Sequence, residues 1–312
     1  MPIVPYLQIA RPDHWFKNVF VVPGILLAFF FHREMALAEA WGGIVLGFLA
    51  VCVVASSNYV LNEILDAPYD QFHPSKHQRP IPSGQVKLPL AWTWWVLLSL
   101  LGFALSFAVN VPFGITAVFL WIMGALYNIP PIRLKDVPYG DVLSESVNNP
   151  IRLAMGWYCV GAPSAPPFSI FIAYWMFGAF LMAAKRFAEF RNIDDPDRAA
   201  KYRKSFAFYS QEKLMVSIFY YATLFALMGG FFIARYRFEL ILATPLVAYA
   251  MAYYMHMAYK PDSPVQQPEQ LFRHKKLMFV VITAFVACTL LLFFSLPDLR
   301  DLFDPWIEPP NG

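Results

Sequence analysis

Apolar runs long enough to cross a bilayer recur along this chain, and they constrain its fold more than any other feature. In hydrocarbon every backbone N–H and C=O must be paired inside the structure, so such runs are helical, and each needs ~20 residues. Nine candidate spans follow, at 16–31, 38–62, 88–109, 111–128, 141–160, 166–184, 214–233, 238–258 and 277–296. The first is short of apolar residues and the fifth is polar. The fold class read from this pattern is all-α: one polytopic membrane domain over residues 1–312 with nine transmembrane helices. Composition agrees, since 58% hydrophobic against 14% charged residues is too apolar for an ordinary soluble domain. A net charge of only +3 points to no nucleic-acid partner.

Charge orients the spans. With the N-terminus inside, the inside loops and Lys17 at the boundary hold 19 of the 24 Lys and Arg residues, and the outside loops hold four: Arg33, Arg235, Arg237 and Arg300. That asymmetry is the positive-inside signature, and it puts the C-terminus outside. The remaining one, Arg152, lies within the fifth span. No small-residue cleavage site follows the first apolar run, so no removable signal peptide is expected. Cys52, Cys159 and Cys288 all sit in apolar runs without a CxxC, which reads as core packing rather than a disulfide or zinc framework. The tail from Leu296 to Gly312, acidic and Pro-rich, reads as loosely ordered.

The chemistry collects in the inside loops, above all at Asn58–Gly84, NYVLNEILDAPYDQFHPSKHQRPIPSG. Asn58, Asn62, Asp66 and Asp70 are spaced by fours, so a continuous helix stacks them on one face. Pro68 removes a backbone donor and crowds the preceding turn, so the helix is expected to kink or end near Asp66, leaving Asp70 in a structured loop. Carboxylates and a carboxamide at a helix mouth suit Mg²⁺, which takes one or two protein carboxylates and fills its other positions with water and substrate phosphate. Lys76 and Arg79 downstream are placed to hold phosphate oxygens. The competing reading is a solvated loop whose charges merely flank a membrane helix.

N-x3-D-x3-D followed by HPSKHQRPI resembles the first signature of the UbiA superfamily of intramembrane prenyl-chain transferases, and the HPxKxxRPI form is most similar to its decaprenyl-phosphate phosphoribosyltransferase branch. Glu63 stands where that branch usually has Asp, and Pro68 is a further departure. RPDHWFKN before the first span, with Lys17, also resembles that branch, although Trp and Lys are common interfacial anchors too. So do KRxxE at Lys185, Arg186 and Glu189, and RKSxxxY from Arg203 to Tyr209. In YNIPPIRLKD, Tyr127 and Lys135 match the superfamily loosely. Asp194, Asp195 and Asp197 match poorly the second aspartate-rich motif usual in aromatic prenyltransferases.

The resemblance implies a helical bundle around a central cavity open to the inside face and to lipid. It implies Mg²⁺ held by Asn62, Asp66 and Asp70, with Glu63 assisting, and Asp66, Asp70 and Lys185 as catalytic residues. The substrate contacts implied are Lys17, Asn58, Lys76, Arg79, Tyr127, Lys135, Arg152, Arg186 and Glu189. In the fifth span Asp141, Glu145 and Asn149 are spaced by fours, as are Ser144, Asn148 and Arg152. Ionisable groups at membrane depth face a cavity or a partner, and a Glu145–Arg152 ion pair is the plainest alternative to a cavity lining. The expected partners are an isoprenoid lipid, a diphosphate-bearing donor and the bilayer, in a bacterial cytoplasmic membrane, with the oligomeric state left open. The reaction implied is phosphoribosyl transfer to a polyprenyl phosphate. Its rivals are prenyl transfer from an allylic diphosphate and a non-enzymatic lipid transporter or scaffold.

Overall fold

The protein is described here from a computed structural model that covers residues 4–71, 76–193, 203–261, 263–296 and 299, with the side chains of Lys76 and of residues 268–270 excepted. Those described residues are mostly helical, with no β-strand among them. The sequence expectations for the Lys76 side chain, for Asp194, Asp195 and Asp197, and for the acidic tail fall outside them.

The chain opens with α1 (Val4–Ile9) and a 3-10 segment (Pro12–Val21) that runs into α2 (Val22–Phe31). Pro12 starts its segment, where no N–H is required. Then come α3 (Leu37–Asp70), α4 (Leu88–Val109), α5 (Val111–Asn128), α6 (Gly140–Ser146), α7 (Asn148–Cys159) and α8 (Phe168–Arg191). The last three are α9 (Gln211–Tyr236), α10 (Thr244–Ala258, entered through a 3-10 turn at Phe238–Ala243) and α11 (Lys275–Phe293). Asn110 makes the tight α4–α5 turn: its Oδ1 accepts from the Phe113 N–H at 2.9 Å and its Nδ2 donates to the Tyr158 carbonyl at 2.7 Å.

The helix α3, 34 residues long, is the axis of the first half. Buried Ala50, Val51 and Val54 pack with Phe113, Ala117 and Leu120 of α5 and with Leu153 and Met155 of α7. Two glycines let α2 and α7 cross closely: a Cβ on Gly24 would meet the Leu153 carbonyl oxygen at 1.9 Å, and one on Gly156 the Val21 carbonyl oxygen at 2.0 Å. The second half has its own core, centred on Phe180, Ala184 and Phe187 of α8 against Leu214, Ile218 and Tyr221 of α9 and Tyr254 and Met257 of α10. Large apolar side chains such as Leu100, Phe219 and Phe279 point outward, as lipid-facing residues of a membrane bundle do.

Two expectations about helix continuity change. Among the described residues eight helices are long and apolar enough to cross a membrane; the segment expected as a ninth span, 141–160, is instead broken into α6 and α7 at Val147. The break falls before Pro150 because the proline ring crowds the carbonyl four residues back, that of Ser146. Pro150 itself sits in the first turn of α7, where it is tolerated. Conversely, α3 does not end at Asp66 but continues through Pro68 to Asp70, and Gln71 donates to the Ala67 carbonyl at 3.3 Å. Only one turn remains beyond the proline. That turn is held by the burial of Ala67 and by an Asp70–Arg79 ion pair at 2.6 Å.

Candidate active site

Because α3 is continuous, Asn58, Asn62, Asp66 and Asp70 do share a face, and each is held differently. Asn58 lies between α3 and α5, donating to the Leu120 carbonyl at 3.0 Å, with its Oδ1 buried and unpartnered. Gly124 leaves the space for it, since a Cβ there would sit 2.2 Å from Asn58 Cγ. The Asn62 amide nitrogen donates to Asp66 Oδ2 at 3.2 Å and to Asn128 Oδ1 at 2.7 Å. Its carbonyl oxygen makes neither bond.

The loop between α5 and α6 brings two cations onto Asp66. Lys135 Nζ reaches Oδ1 at 2.5 Å and Arg133 Nη2 the same oxygen at 2.9 Å. Lys135 also donates to Asn128 Oδ1 at 2.9 Å, and Arg133 pairs with Asp136 at 3.1 Å. Burial pulls the Lys135 ammonium down to about 8, with the adjacent Asp66 carboxylate holding it up. Arg133 and Tyr139 both take positive φ, 33° and 60°, so the loop turns sharply at both ends of this contact. Arg133 is a site residue that the sequence motifs do not single out. Its only signal is its place in a short basic loop.

Glu63 departs from the metal set that the resemblance implies. Its carboxylate is buried, accepts the Ile81 N–H at 3.3 Å and lies 3.8 Å from Arg11. It clamps the loop after α3 and the N-terminal segment instead of joining Asn62 and Asp66. Arg79 likewise meets Asp70 directly.

A second cluster forms where α6, α8 and the segment before α9 meet. Asp141 is fully buried. Its Oδ2 accepts from Arg186 Nε at 3.0 Å, Ser205 Oγ at 3.3 Å and Arg203 Nη1 at 3.5 Å, and its Oδ1 from the Tyr209 hydroxyl at 2.6 Å. Burial, reinforced by the Asp141 charge, pushes the Tyr209 hydroxyl well above its ordinary range, so it stays a donor. Arg186, expected to bind phosphate, is itself buried and bridges Asp141 and Glu189, the latter at 2.8 Å. Its donors are turned to the protein's own carboxylates. Lys185 lies 3.8 Å from Glu189 at the more open edge. Asp141 and the RKSxxxY pair Arg203 and Tyr209 stand out in the sequence, but nothing there assigns them to the site. The signal available is an aspartate opening a polar, broken span.

The clusters face each other across Tyr127. Lys135 approaches its ring at 6.0 Å, and Arg203 lies within electrostatic reach of its hydroxyl. The N-terminal motif closes a third side. Trp15 donates to Ser56 Oγ at 2.9 Å and Asn18 to Cys52 Sγ at 3.2 Å, so this segment docks on α3 in addition to edging the membrane. Lys17 meets His14 at 3.4 Å. Arg152 bonds Asn18 Oδ1 at 3.0 Å and makes no ion pair with Glu145. Away from these groups, a cavity of about 660 Å³ lies among Pro23, Phe180, Phe225, Met251, Met255 and Phe285 and is almost wholly apolar.

The UbiA prenyltransferase family matches residues 21–280, most of the chain and all of the site just described except its N-terminal segment. The chain belongs to that family. It is an all-helical membrane transferase. Among its UbiA relatives, a decaprenyl-phosphate phosphoribosyltransferase of Mycolicibacterium smegmatis is 29% identical over 210 residues, 67% of this chain and 63% of that protein. One of the same name from Corynebacterium glutamicum is 25% identical over 303 residues, 93% of this chain and 87% of that protein. The fold is that of a UbiA homologue from Archaeoglobus fulgidus solved with GPP and Mg²⁺, with a TM-score of 0.67 at 18% identity, covering 91% of this chain and 99% of the other.

The α3 face fits a hard divalent cation. Asp66 and Asp70 would supply carboxylate oxygens one turn apart, and Asn62 a carbonyl oxygen. Among the described residues no three His, Cys, Asp or Glu side chains gather as a closed protein-only metal cage. An Mg²⁺ site completed by water and substrate phosphate needs none.

Proposed function

We propose that this UbiA-family enzyme transfers a 5-phosphoribosyl group from phosphoribosyl diphosphate to a polyprenyl phosphate. The observation that carries the reading is the convergence of cations from separate loops, Arg133 and Lys135 on one side of Tyr127 and Arg203 on the other. A donor with a phosphate at each end of a small sugar needs cations at two places. An allylic diphosphate needs them at one. The names of the two phosphoribosyltransferase relatives support the same choice.

Asn62, Asp66 and Asp70 would hold Mg²⁺, which when bound neutralises charge growing on the leaving diphosphate. Lys135 and Arg133, seated on Asp66, are positioned to exchange that carboxylate for phosphate oxygens. Arg79 stands in the same relation to Asp70, and Lys185 and Arg203 serve the second phosphate. Asp141, Arg186 and Glu189 hold these cations in place. An oxygen of the lipid phosphate bonds to the ribose C1 as the bond from C1 to the diphosphate oxygen breaks, and the electron pair leaves with the diphosphate. The attacking oxygen is already anionic, so no general base is required. The apolar cavity among α2 and α8–α11 suits the isoprenoid chain.

Purified protein given Mg²⁺, labelled phosphoribosyl diphosphate and a polyprenyl phosphate is expected to yield a labelled lipid. An enzyme inert in that assay that instead moves the chain of geranyl diphosphate to an acceptor would overturn the reading. The membrane orientation is a separate expectation from the Lys and Arg distribution. A reporter in the 190–200 loop should be inside, and one fused after Gly312 outside. Finding both on one side would refute it.

A further inference from the structure

Glu145 is the odd carboxylate of the polar zone. Glu63, Asp66, Asp70, Asp136, Asp141 and Glu189 each have a cation within 4 Å. Half-buried Glu145 makes no hydrogen bond or ion pair with any described residue. It lies on α6 one turn beyond Asp141, on the same face and about 6 Å further along the helix axis. There it is within electrostatic reach of the hydroxyls of Tyr59 and Tyr127, the first also within reach of Arg152 and the second of Arg203. A carboxylate at membrane depth is costly unless something pairs with it. This one lies one turn from Asp141, whose partners Arg186 and Arg203 belong to the cluster assigned above to the donor's second phosphate.

From this placement we infer that Glu145 accepts the ribose hydroxyls of the donor and so selects a sugar-bearing diphosphate over a hydrocarbon one. The inference rests on the phosphoribosyl reading above. A carboxylate offers two acceptor oxygens and no donor, which matches two neighbouring hydroxyls in strong, charge-assisted bonds. It would repel a phosphate placed against it. A donor without hydroxyls would leave the half-buried charge unpaired, and sites built around a substrate hydroxyl reject analogues lacking it strongly. Glu145 is thus a specificity-determining residue, whereas Asp141, one turn away, holds the protein's own cations.

Glu145→Gln keeps the shape and removes the charge. In the full-length enzyme in lipid nanodiscs, with Mg²⁺, it is expected to raise KM for phosphoribosyl diphosphate about tenfold to a hundredfold. The KM for polyprenyl phosphate should not change. Calorimetric binding of inorganic diphosphate with Mg²⁺, a probe without ribose, should also be unchanged, which shows in addition that the variant is folded. Equal weakening of inorganic diphosphate would overturn the inference in favour of a metal or phosphate role. So would an unchanged KM for phosphoribosyl diphosphate in an active Glu145→Gln enzyme. If the unaltered enzyme neither binds nor turns over phosphoribosyl diphosphate, the phosphoribosyl reading itself falls, and this assignment with it.

Discussion

Asp66→Asn should reduce turnover about a thousandfold while the protein remains folded in the membrane. The carboxylate is a metal ligand in the proposed site and also the seat of Lys135 and Arg133. A metal ion acting as Lewis acid contributes several kcal/mol of transition-state stabilisation, and each ~1.4 kcal/mol is a factor of ten in rate. Folding should survive because neither cation is stranded. Arg133 keeps Asp136 at 3.1 Å. Lys135 keeps Asn128 at 2.9 Å, and an ammonium already lowered to about 8 by burial can release its proton once the opposing charge is gone. Two measurements check this: turnover, and calorimetric binding of inorganic diphosphate at saturating Mg²⁺, which the variant should lose. Full activity in Asp66→Asn, or diphosphate binding that no longer depends on Mg²⁺ in the unaltered enzyme, would remove the metal from the α3 face.

Asp141→Ala should do the opposite, acting first on stability. Asp141 is 0% and Arg186 2% exposed, so truncating the aspartate leaves a guanidinium buried with Glu189 as its remaining carboxylate partner. Breaking a buried pair in this way costs about 3–5 kcal/mol. It also releases the Tyr209 hydroxyl and Ser205, whose bonds to Asp141 tie the segment before α9 to α6. The expected result is a markedly lower melting temperature in detergent and low abundance in the membrane. Removing both charges together is often close to neutral, so Asp141→Ala combined with Arg186→Met should recover part of the loss, though not the Tyr209 and Ser205 bonds. A single Asp141→Ala variant as stable as the unaltered protein would show that the cluster is not structural. Arg186 would then return to the phosphate-binding role its sequence motif suggests.

These two aspartates mark the limit of what linear pattern reveals. Asp66 belongs to a run spaced by fours, and a helical period projects such a run onto one face whatever surrounds it. Its place on a polar helix face is therefore legible in the linear order of residues. Asp141 belongs to a run with the same spacing, yet its partners come from α8 and from the segment before α9, 45 to 68 positions away. Spacing within one helix carries no information about what packs across from it.

What the sequence determined by itself is what depends on local period and on the solvent: helices in the apolar runs, because hydrocarbon pairs no backbone groups; the polar face of α3; and the family, through motifs contiguous in the chain. What only the tertiary structure decided is which carboxylate meets which cation. Glu63 turns to Ile81 and Arg11, Asp66 takes Lys135 and Arg133, and Arg186 is enclosed between Asp141 and Glu189. The fate of the two prolines was also a tertiary matter. Pro68 lies one turn from the end of a helix whose last turn is anchored by Asp70 and Arg79, so the helix runs through it. Pro150 lies where a new helix can begin, so the chain breaks just before it. A proline removes the same hydrogen bond in both places, and the contacts around it decide whether the helix can do without that bond.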